Sequence, residues 1–289
     1  MKKTIILAGI FTFTFIPKLS IADHLEPTAS EIRPDGNLEH TNLTGAELNN
    51  VDLTGANLSY TDLSNANLTG AILSYADLSN ANLTDANLSY SILINVDLRY
   101  ANLSNANLSY ADLSTEPFGH NVRNARMDYA NFSDANLSNV NLTGAILRQA
   151  NFTRANLFQA NMTFAYLSAA KLSYSNLTYA KLVSATLDMT ELDYADLFGA
   201  NLQFSSLRNA NLSYSLMIGA NLTGVLFDRA YLGGTVMSRA NLTGAELADA
   251  KMYTFEIPRY NGLNASNLIG CPKSLPSGWV CENNSLLEL

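Results

Sequence analysis

The residues of this chain that could do chemistry are few and widely separated. The three histidines are His24, His40 and His120, and they lack the spacing of metal ligands. No serine–histidine–aspartate arrangement can be argued from them. There is also no glycine-rich loop of the kind that holds phosphate. We therefore expect no catalytic residue, no metal site, no cofactor and no enzymatic activity.

Aspartates recur at one position, immediately before an apolar residue. The set considered is Asp52, Asp62, Asp77, Asp97 and Asp112. Outward carboxylates on a flat face lack the burial that tunes a catalytic pKa. We interpret them as part of a candidate interaction surface.

Two cysteines, Cys271 and Cys281, lie ten residues apart near the C-terminus. If the protein is exported to an oxidising compartment, an even pair at this spacing favours a disulfide. The alternative is two free thiols. A metal site is not expected, since no other cysteine and no histidine lies nearby in the sequence.

A five-residue period must position all of these side chains. Residues 56–60 read Ala-Asn-Leu-Ser-Tyr and residues 61–65 read Thr-Asp-Leu-Ser-Asn. The central apolar residue recurs from Leu38 to Leu113, and again from Met127 to Ile257. Leu263 and Leu268 follow in a shifted frame.

A period of five matches neither a strand, with a period of two, nor a helix, with a period of 3.6. It indicates a chain that turns a corner every five residues. The central residue then always points inward, and so does the small residue two positions before it. A narrow, close-packed interior requires such small groups.

These units resemble the pentapeptide-repeat family, whose pattern is A-(D/N)-L-x-x, over residues 37–270. The resemblance implies an all-β fold, a right-handed quadrilateral β-helix in which four units make one coil of 20 residues. The repeat then gives about twelve coils and a rod roughly 55 Å long at the interstrand rise.

Residues one coil apart should stack, which predicts ladders of like side chains. The predicted sets are Tyr174, Tyr194 and Tyr214; the interior pair Phe132 and Phe152; and Asn201, Asn221 and Asn241, with Asn141 and Asn161 on the same face. Stacked tyrosines could bind sugar rings or aromatic partners. Alternatively, they only pack against their ladder neighbours.

The repeat breaks at residues 116–124, where Leu113 and Met127 are 14 residues apart, one short of three units. The favoured interpretation is a continuous coil with Phe118 and Val122 inward and one face shortened. The other is a nine-residue loop replacing two faces. The favoured interpretation predicts a second ladder, Tyr90, Tyr110 and Tyr129.

Both ends of the chain differ from the repeat. Residues 1–22 have a basic start, an apolar stretch and small residues before Asp23, which predicts a signal peptide cleaved after Ala22. An uncleaved membrane anchor is the alternative. We expect a flexible lead-in over residues 23–36. Residues 271–289 should form a C-terminal cap, with Leu275 and Trp279 over the last coil.

Charge is unevenly distributed along the chain. The formal net charge is −8, and residues 23–120 hold 13 acidic and two basic residues, whereas residues 121–289 hold 12 of each. Such asymmetry can steer a basic partner toward one end. It also serves solubility without any partner.

These features predict an exported, non-catalytic scaffold in the periplasm or medium. Its partner would be an unknown protein or a cell-envelope glycan. We expect no direct nucleic-acid binding, no membrane association after cleavage, and a possible homodimer through a face or an end of the solenoid. The alternative, implied by the resemblance, is a DNA mimic that binds gyrase or topoisomerase. The acidic N-terminal part favours that alternative, and the signal peptide opposes it.

Overall fold

The protein is a stack of square coils, a right-handed quadrilateral β-helix. The structure, a computed structural model, describes residues 32–115, 124–252, 271–272, 275 and 279–288. Single-residue parallel bridges join positions 20 apart, such as Asn57 and Asp77. The predicted coil length is therefore confirmed, and about twelve coils remains a prediction for the whole chain.

We number the four faces by their first central residue: face 1 begins at Leu38, face 2 at Leu43, face 3 at Leu48 and face 4 at Leu53. Each corner takes the number of the face that precedes it in the chain. Corner 2 therefore joins faces 2 and 3. Corner 3 joins faces 3 and 4.

Every backbone N–H of a typical unit has an acceptor. In the unit around Leu58, the N–H groups of Leu58 and Tyr60 donate to the next coil, and that of Asn57 donates to the previous one. The N–H of Thr61 closes the turn onto Leu58. The fifth N–H, on Ser59, donates to Asn57 Oδ1 at 3.1 Å. The Asn or Asp before the central residue thus completes the corner with an Asx-type bond.

Each regular corner also contains one residue with positive φ, the second after the central residue. Tyr60, Asn65 and Gly70 are consecutive examples, with φ of 58°, 58° and 65°. A single left-handed residue at this place is typical of a type II β-turn. Bulky side chains occupy it here because neighbouring coils hold the backbone in place.

The interior is filled by the central residues and the small residues before them. Phe132 and Phe152 are fully buried, and their rings stack with centroids 4.8 Å apart. This confirms the predicted interior pair. Buried hydroxyls usually bond the preceding turn, as Ser175 Oγ does by donating to Leu172 O at 2.7 Å. The hydroxyls of Ser205 and Ser215 have no such partner.

Asparagine ladders run along the outside. Asn201, Asn221 and Asn241 are in the predicted register on face 4, and so are Asn141 and Asn161. Their amides bond partly to threonine, since Asn241 Nδ2 donates to Thr223 Oγ1 at 3.1 Å. The longest amide-to-amide ladder among the described residues lies on face 3. Its members are Asn87, Asn107, Asn136, Asn156 and Asn176.

The break adds residues to a corner instead of shortening a face. Across it the pairing offset rises to 29 residues, as in Asp97 with Arg126 and Asp112 with Asn141. Leu113 on face 4 is therefore followed directly by Met127 on face 1, so the interpretation of a shortened coil is wrong. All four faces persist on both sides of the break, since the bridges across it share one offset of 29 residues. The predicted inward residues Phe118 and Val122 lie outside the described residues.

The solenoid begins slightly before residue 37. Asp35 has φ of 54° and donates its N–H to Thr54 O at 2.8 Å, so it already forms a corner. Ile32 is buried in the core. The last residues of the predicted lead-in are therefore ordered by the first coil. The rest of that lead-in and the predicted signal peptide lie outside the described residues.

Near the C-terminus the chain forms a hairpin of two antiparallel strands, β1 (Trp279–Glu282) and β2 (Ser285–Glu288). A disulfide joins Cys271 to Cys281, with the Cα atoms 5.9 Å apart. Leu286 is buried against the core, and Leu275 packs there partly exposed. Trp279 is predicted to cover the last coil, but its side chain lies outside what the structure describes. Among the described residues, none form a helix long and apolar enough to cross a membrane.

Candidate interaction surfaces

The C-terminal half presents the predicted tyrosine ladder at corner 2. The rings of Tyr174 and Tyr194 stack with centroids 5.0 Å apart, and those of Tyr194 and Tyr214 stack at 5.1 Å. The predicted register is confirmed. Each ring is roughly half exposed.

The second predicted ladder is correct only in its first two members. Tyr90 and Tyr110 stack at corner 3 with centroids 5.0 Å apart. Tyr129 instead stacks on Tyr100 at corner 1, at 4.9 Å, and its hydroxyl accepts a bond from Gln149 Nε2. The 29-residue offset across the break moves Tyr129 to a different corner from Tyr110. Tyr90, Tyr110 and Tyr129 therefore do not form one surface.

Stacking along the rod hides most ring faces of the corner 2 ladder. The two faces of Tyr194 are covered by Tyr174 and Tyr214. Beyond Tyr214 lies Gly234, where an added Cβ would come within 2.6 Å of the ring. Sugars bind aromatic side chains mainly through an open ring face. This ladder offers partners its edges and hydroxyls.

An apolar surface with acidic ends lies on face 4, and we call it the N-terminal patch. Along one row of that face the bridged residues are, in order, Asp52, Ile72, Ile92 and Asp112. Tyr90 and Tyr110 line the edge at corner 3, and Tyr75 lines the edge at corner 4. The side chain of Ile92 is 39% exposed. Two of the five candidate aspartates thus flank an apolar centre.

The remaining candidate aspartates lie on other faces and are engaged locally. Asp62 on face 2 accepts a bond from Asn82 Nδ2 at 3.1 Å. Asp97, on face 1 beside Asp77, is ion-paired with Arg99. The five aspartates predicted as one candidate surface are therefore divided among three faces.

Hydrogen bonds keep several of these carboxyl groups ionised. The hydroxyl and backbone N–H of Thr54 lower the pKa of Asp52. Partial burial raises the pKa of Asp62, but bonds from Ser64, Thr44 and Asn82 outweigh it and the pKa is lowered overall. Burial likewise opposes the lowered pKa of Asp97, which hydrogen bonds and charge from Arg99 produce. Asp52 therefore stays negatively charged at one end of the N-terminal patch.

A second apolar surface, the C-terminal patch, lies on face 3 and its two edges. Its exposed members are Tyr174, Tyr194 and Tyr214 at corner 2, Phe198 and Leu216 on the face, and Tyr179 at corner 3. The ring of Tyr179 makes edge contacts with Phe158 and Phe198, at centroid distances of 6.2 and 5.5 Å. Between Tyr174 and Leu216 the face carries one charged side chain, Asp196.

Ile72, Ile92 and Leu216 are functional candidates that were not among the residues predicted from the sequence. They occupy the position before the central residue. An Asn or Asp at that position accepts a hydrogen bond from the backbone N–H of the residue after the central one, as Asn57 does from Ser59. A hydrocarbon side chain offers no acceptor there. The signal that could have found them is an apolar residue at this usually polar position, which Ile146, Leu226 and Val236 share. Such local inconsistencies concentrate at functional sites.

The histidines take no part in these surfaces as far as they are described. His40 stacks on Tyr60 with ring centroids 4.9 Å apart. His24 and His120 lie outside the described residues. In the described portion of the chain, no group of His, Cys, Asp and Glu side chains could hold a metal ion.

A family model described as pentapeptide repeats matches eight copies across residues 37–115 and 121–254. Among solved structures, HetL from the cyanobacterium Nostoc sp. strain PCC 7120, a pentapeptide repeat protein involved in heterocyst differentiation regulation, is 28% identical. That match covers 76% of this chain and 92% of HetL, with a TM-score of 0.45.

Two further structures are similar over different lengths. The pentapeptide repeat protein alr5209, also from Nostoc, is 44% identical over 26% of this chain and 67% of its own, with a TM-score of 0.19. QnrB1, a plasmid-mediated fluoroquinolone resistance protein, is 16% identical over 70% of this chain and 88% of its own, with a TM-score of 0.42. No curated protein matches the chain.

Proposed function

The chain belongs to the pentapeptide repeat family. We propose that it is an exported, non-catalytic scaffold and that it binds a protein through the N-terminal patch. The observation that carries the proposal is the row Asp52, Ile72, Ile92, Asp112 on face 4. Exposed apolar groups with a charged rim are typical of protein-binding surfaces. The filled interior of the described coils leaves the outer faces as the place where binding can occur.

The chemistry of the partner follows from the spacing of this row. Asp52 and Asp112 are three coils apart, about 14 Å at the interstrand rise. An extended segment rises about 3.4 Å per residue, so basic side chains four positions apart would reach both carboxylates. Apolar side chains between them would lie on Ile72 and Ile92. This surface favours a basic and apolar protein segment over a glycan, because stacking covers most ring faces of the tyrosine ladder at corner 2.

Export is proposed from the predicted signal peptide at residues 1–22. The disulfide between Cys271 and Cys281 supports it, because disulfides persist in oxidising compartments. Cell fractionation with N-terminal sequencing tests this part. We expect a mature chain that starts at Asp23 in the periplasm or medium. An intact Met1 in the cytoplasm would contradict export.

The binding surface is tested by pull-down from envelope extract with matched variants. Ile72→Asn combined with Ile92→Asn removes the apolar centre and introduces the usual residue of that position. Ile146→Asn makes the same change on face 1 and serves as the control. We expect a reproducible protein partner with the wild type and the control, and its loss with the double variant. Equal recovery with all three would exclude this patch.

A second candidate function is DNA mimicry toward gyrase or topoisomerase. The acidic residues of the N-terminal part favour it, since residues 23–120 hold 13 of them. These acidic residues lie on several faces, so they surround the rod with negative charge instead of forming one docking site. A supercoiling assay with the purified chain decides the matter. Unchanged gyrase activity at micromolar protein would remove this candidate.

A further inference from the structure

We propose that two copies of this chain associate through their C-terminal patches, with the two rods antiparallel. This inference is independent of the function proposed above, because it concerns face 3 in the other half of the rod. Its starting point is Leu216, an exposed apolar residue where the repeat normally has Asn or Asp. Its neighbours in the row along face 3 are Asp196 and Val236, and the exposed ring of Phe198 lies one coil back on the same face.

The patch is large enough for a weak homodimer. Its six exposed members are between 40% and 57% accessible. A side chain of this kind has roughly 200 Å² of surface, so about half of six amounts to some 600 Å² per copy. Two copies would bury about 1,200 Å², the lower end of specific interfaces. Association in the micromolar range is therefore expected.

The repeat distance of the patch selects another solenoid as the occupant. The tyrosine rings recur every 5.0 to 5.1 Å along the rod. A surface with the same rise matches this spacing along the whole length of the patch. A second copy meets this condition. A two-fold axis across the face also brings each corner 2 ladder beside its counterpart, which makes the interface self-complementary.

Charge selects the antiparallel arrangement. The patch itself carries one charged side chain per copy, Asp196, so the charge of the remaining rod decides the orientation. Parallel rods would place the two acidic N-terminal parts side by side. Antiparallel rods place them at opposite ends, beyond the range of unscreened repulsion at physiological salt.

Sedimentation of the mature chain from Asp23, without the apolar residues 1–22, over a range of concentrations tests the dimer. The wild type should approach twice its monomer mass at about 100 µM, well above a micromolar dissociation constant. Phe198→Thr combined with Leu216→Asn should remain a monomer. Both replacements are residues that this repeat already uses at those positions, so the coil is expected to fold. Circular dichroism and a thermal melt check that it does.

Tyr166→Asn is the matched control, because Tyr166 is an exposed side chain at the same position of the repeat on face 1. It should dimerise like the wild type. A monomeric wild type, or a folded double variant that still dimerises, would overturn the proposal.

The orientation is tested with a spin label at Thr44→Cys, an exposed site on face 2 near the N-terminal end. The native cysteines are joined in the disulfide, so the new thiol is labelled selectively. In antiparallel rods each label lies about seven to eight coils from the patch, on opposite sides of it, so the two labels should be roughly 70 Å apart. A short label–label distance would mean parallel rods and would contradict the proposed arrangement.

Discussion

The ring of Tyr179 lies against the backbone of Gly199, the glycine one coil further along corner 3. A Cβ added to Gly199 would come within 2.5 Å of ring carbon Cε1. Gly219 lies one further coil along the same corner, and a Cβ added to it would have no atom within 4 Å. The two glycines have similar positive φ, 60° and 66°. They therefore differ mainly in the aromatic ring above them.

Gly199→Ala should destabilise the protein more than Gly219→Ala. Both changes place a side chain in the left-handed region, at a cost of about 1 kcal/mol. Only Gly199→Ala also displaces the ring of Tyr179 from its contacts with Phe158 and Phe198, which adds about 1 kcal/mol. Urea denaturation of the two variants measures the difference. Adding Tyr179→Ser to both should abolish it, and equal stabilities without that change would refute the ring contact.

Ile92→Asn should raise the free energy of unfolding by up to about 1 kcal/mol, because the amide can accept the fifth N–H of its corner. Ile92→Ala is the control, since it removes the same exposed hydrocarbon without supplying an acceptor. Thermal melts of both variants test the idea. If the asparagine variant is no more stable than the alanine variant, the hydrogen bond has little value there. A gain in stability with a loss of partner binding would identify a site kept for function.

Ser205→Ala and Ser215→Ala should each stabilise the protein by about 1 kcal/mol, because a buried hydroxyl without a partner costs that much. Ser175→Ala is the matched control. Its Oγ donates to Leu172 O, so removing it should be neutral or slightly destabilising. Calorimetry of the three single variants separates the cases. A loss of stability in Ser205→Ala would mean that its hydroxyl does have a partner in solution.

Phe132 and Phe152 should be energetically coupled. Leucine at either position leaves unfilled space in the core and removes the ring stack. A double-mutant cycle with Phe132→Leu and Phe152→Leu should give a coupling of about 0.5–1.5 kcal/mol. Phe227, also buried, supplies the control cycle with Phe132, since the two central residues are several coils apart. Additive effects in the first cycle would contradict a direct stack.

Acid should weaken the protein partly through Asp97. The pKa of this carboxyl is lowered from its ordinary value of 3.8, because Arg99 and Arg126 outweigh the effect of burial. A lowered folded-state pKa stabilises fully above the unfolded value and is lost as pH falls through the folded value. The unfolding free energy should therefore fall below about pH 4. Asp97→Asn should make the acid-induced decrease in the free energy of unfolding smaller by about 1 kcal/mol, the size of the contribution of a partly exposed ion pair. An unchanged pH profile would exclude this contribution.

Much of the fold is readable from the sequence because each unit repeats the same local solution. Leu58 and Ala56 point inward, and Asn57 completes the turn, whichever coil they belong to. The 20-residue offset then places Tyr174 on Tyr194 and Phe132 on Phe152. The candidate site was less accessible. Ile72 and Leu216 stand out only when the asparagine before each central residue is understood as a hydrogen-bond acceptor.

The sequence by itself determined the period, the inward residues and the coil of 20, because these depend on turns and burial within five residues. The tertiary structure alone decided what happens across residues 116–124. Every unit presents nearly the same edge to the next coil, so local preferences do not specify which unit pairs after an interruption. Pairing of Asp97 with Arg126 set that register and moved Tyr129 to Tyr100. Stacking of the coils also turned Asp52, Ile72, Ile92 and Asp112, which the 20-residue period had already set in one row, into a continuous surface.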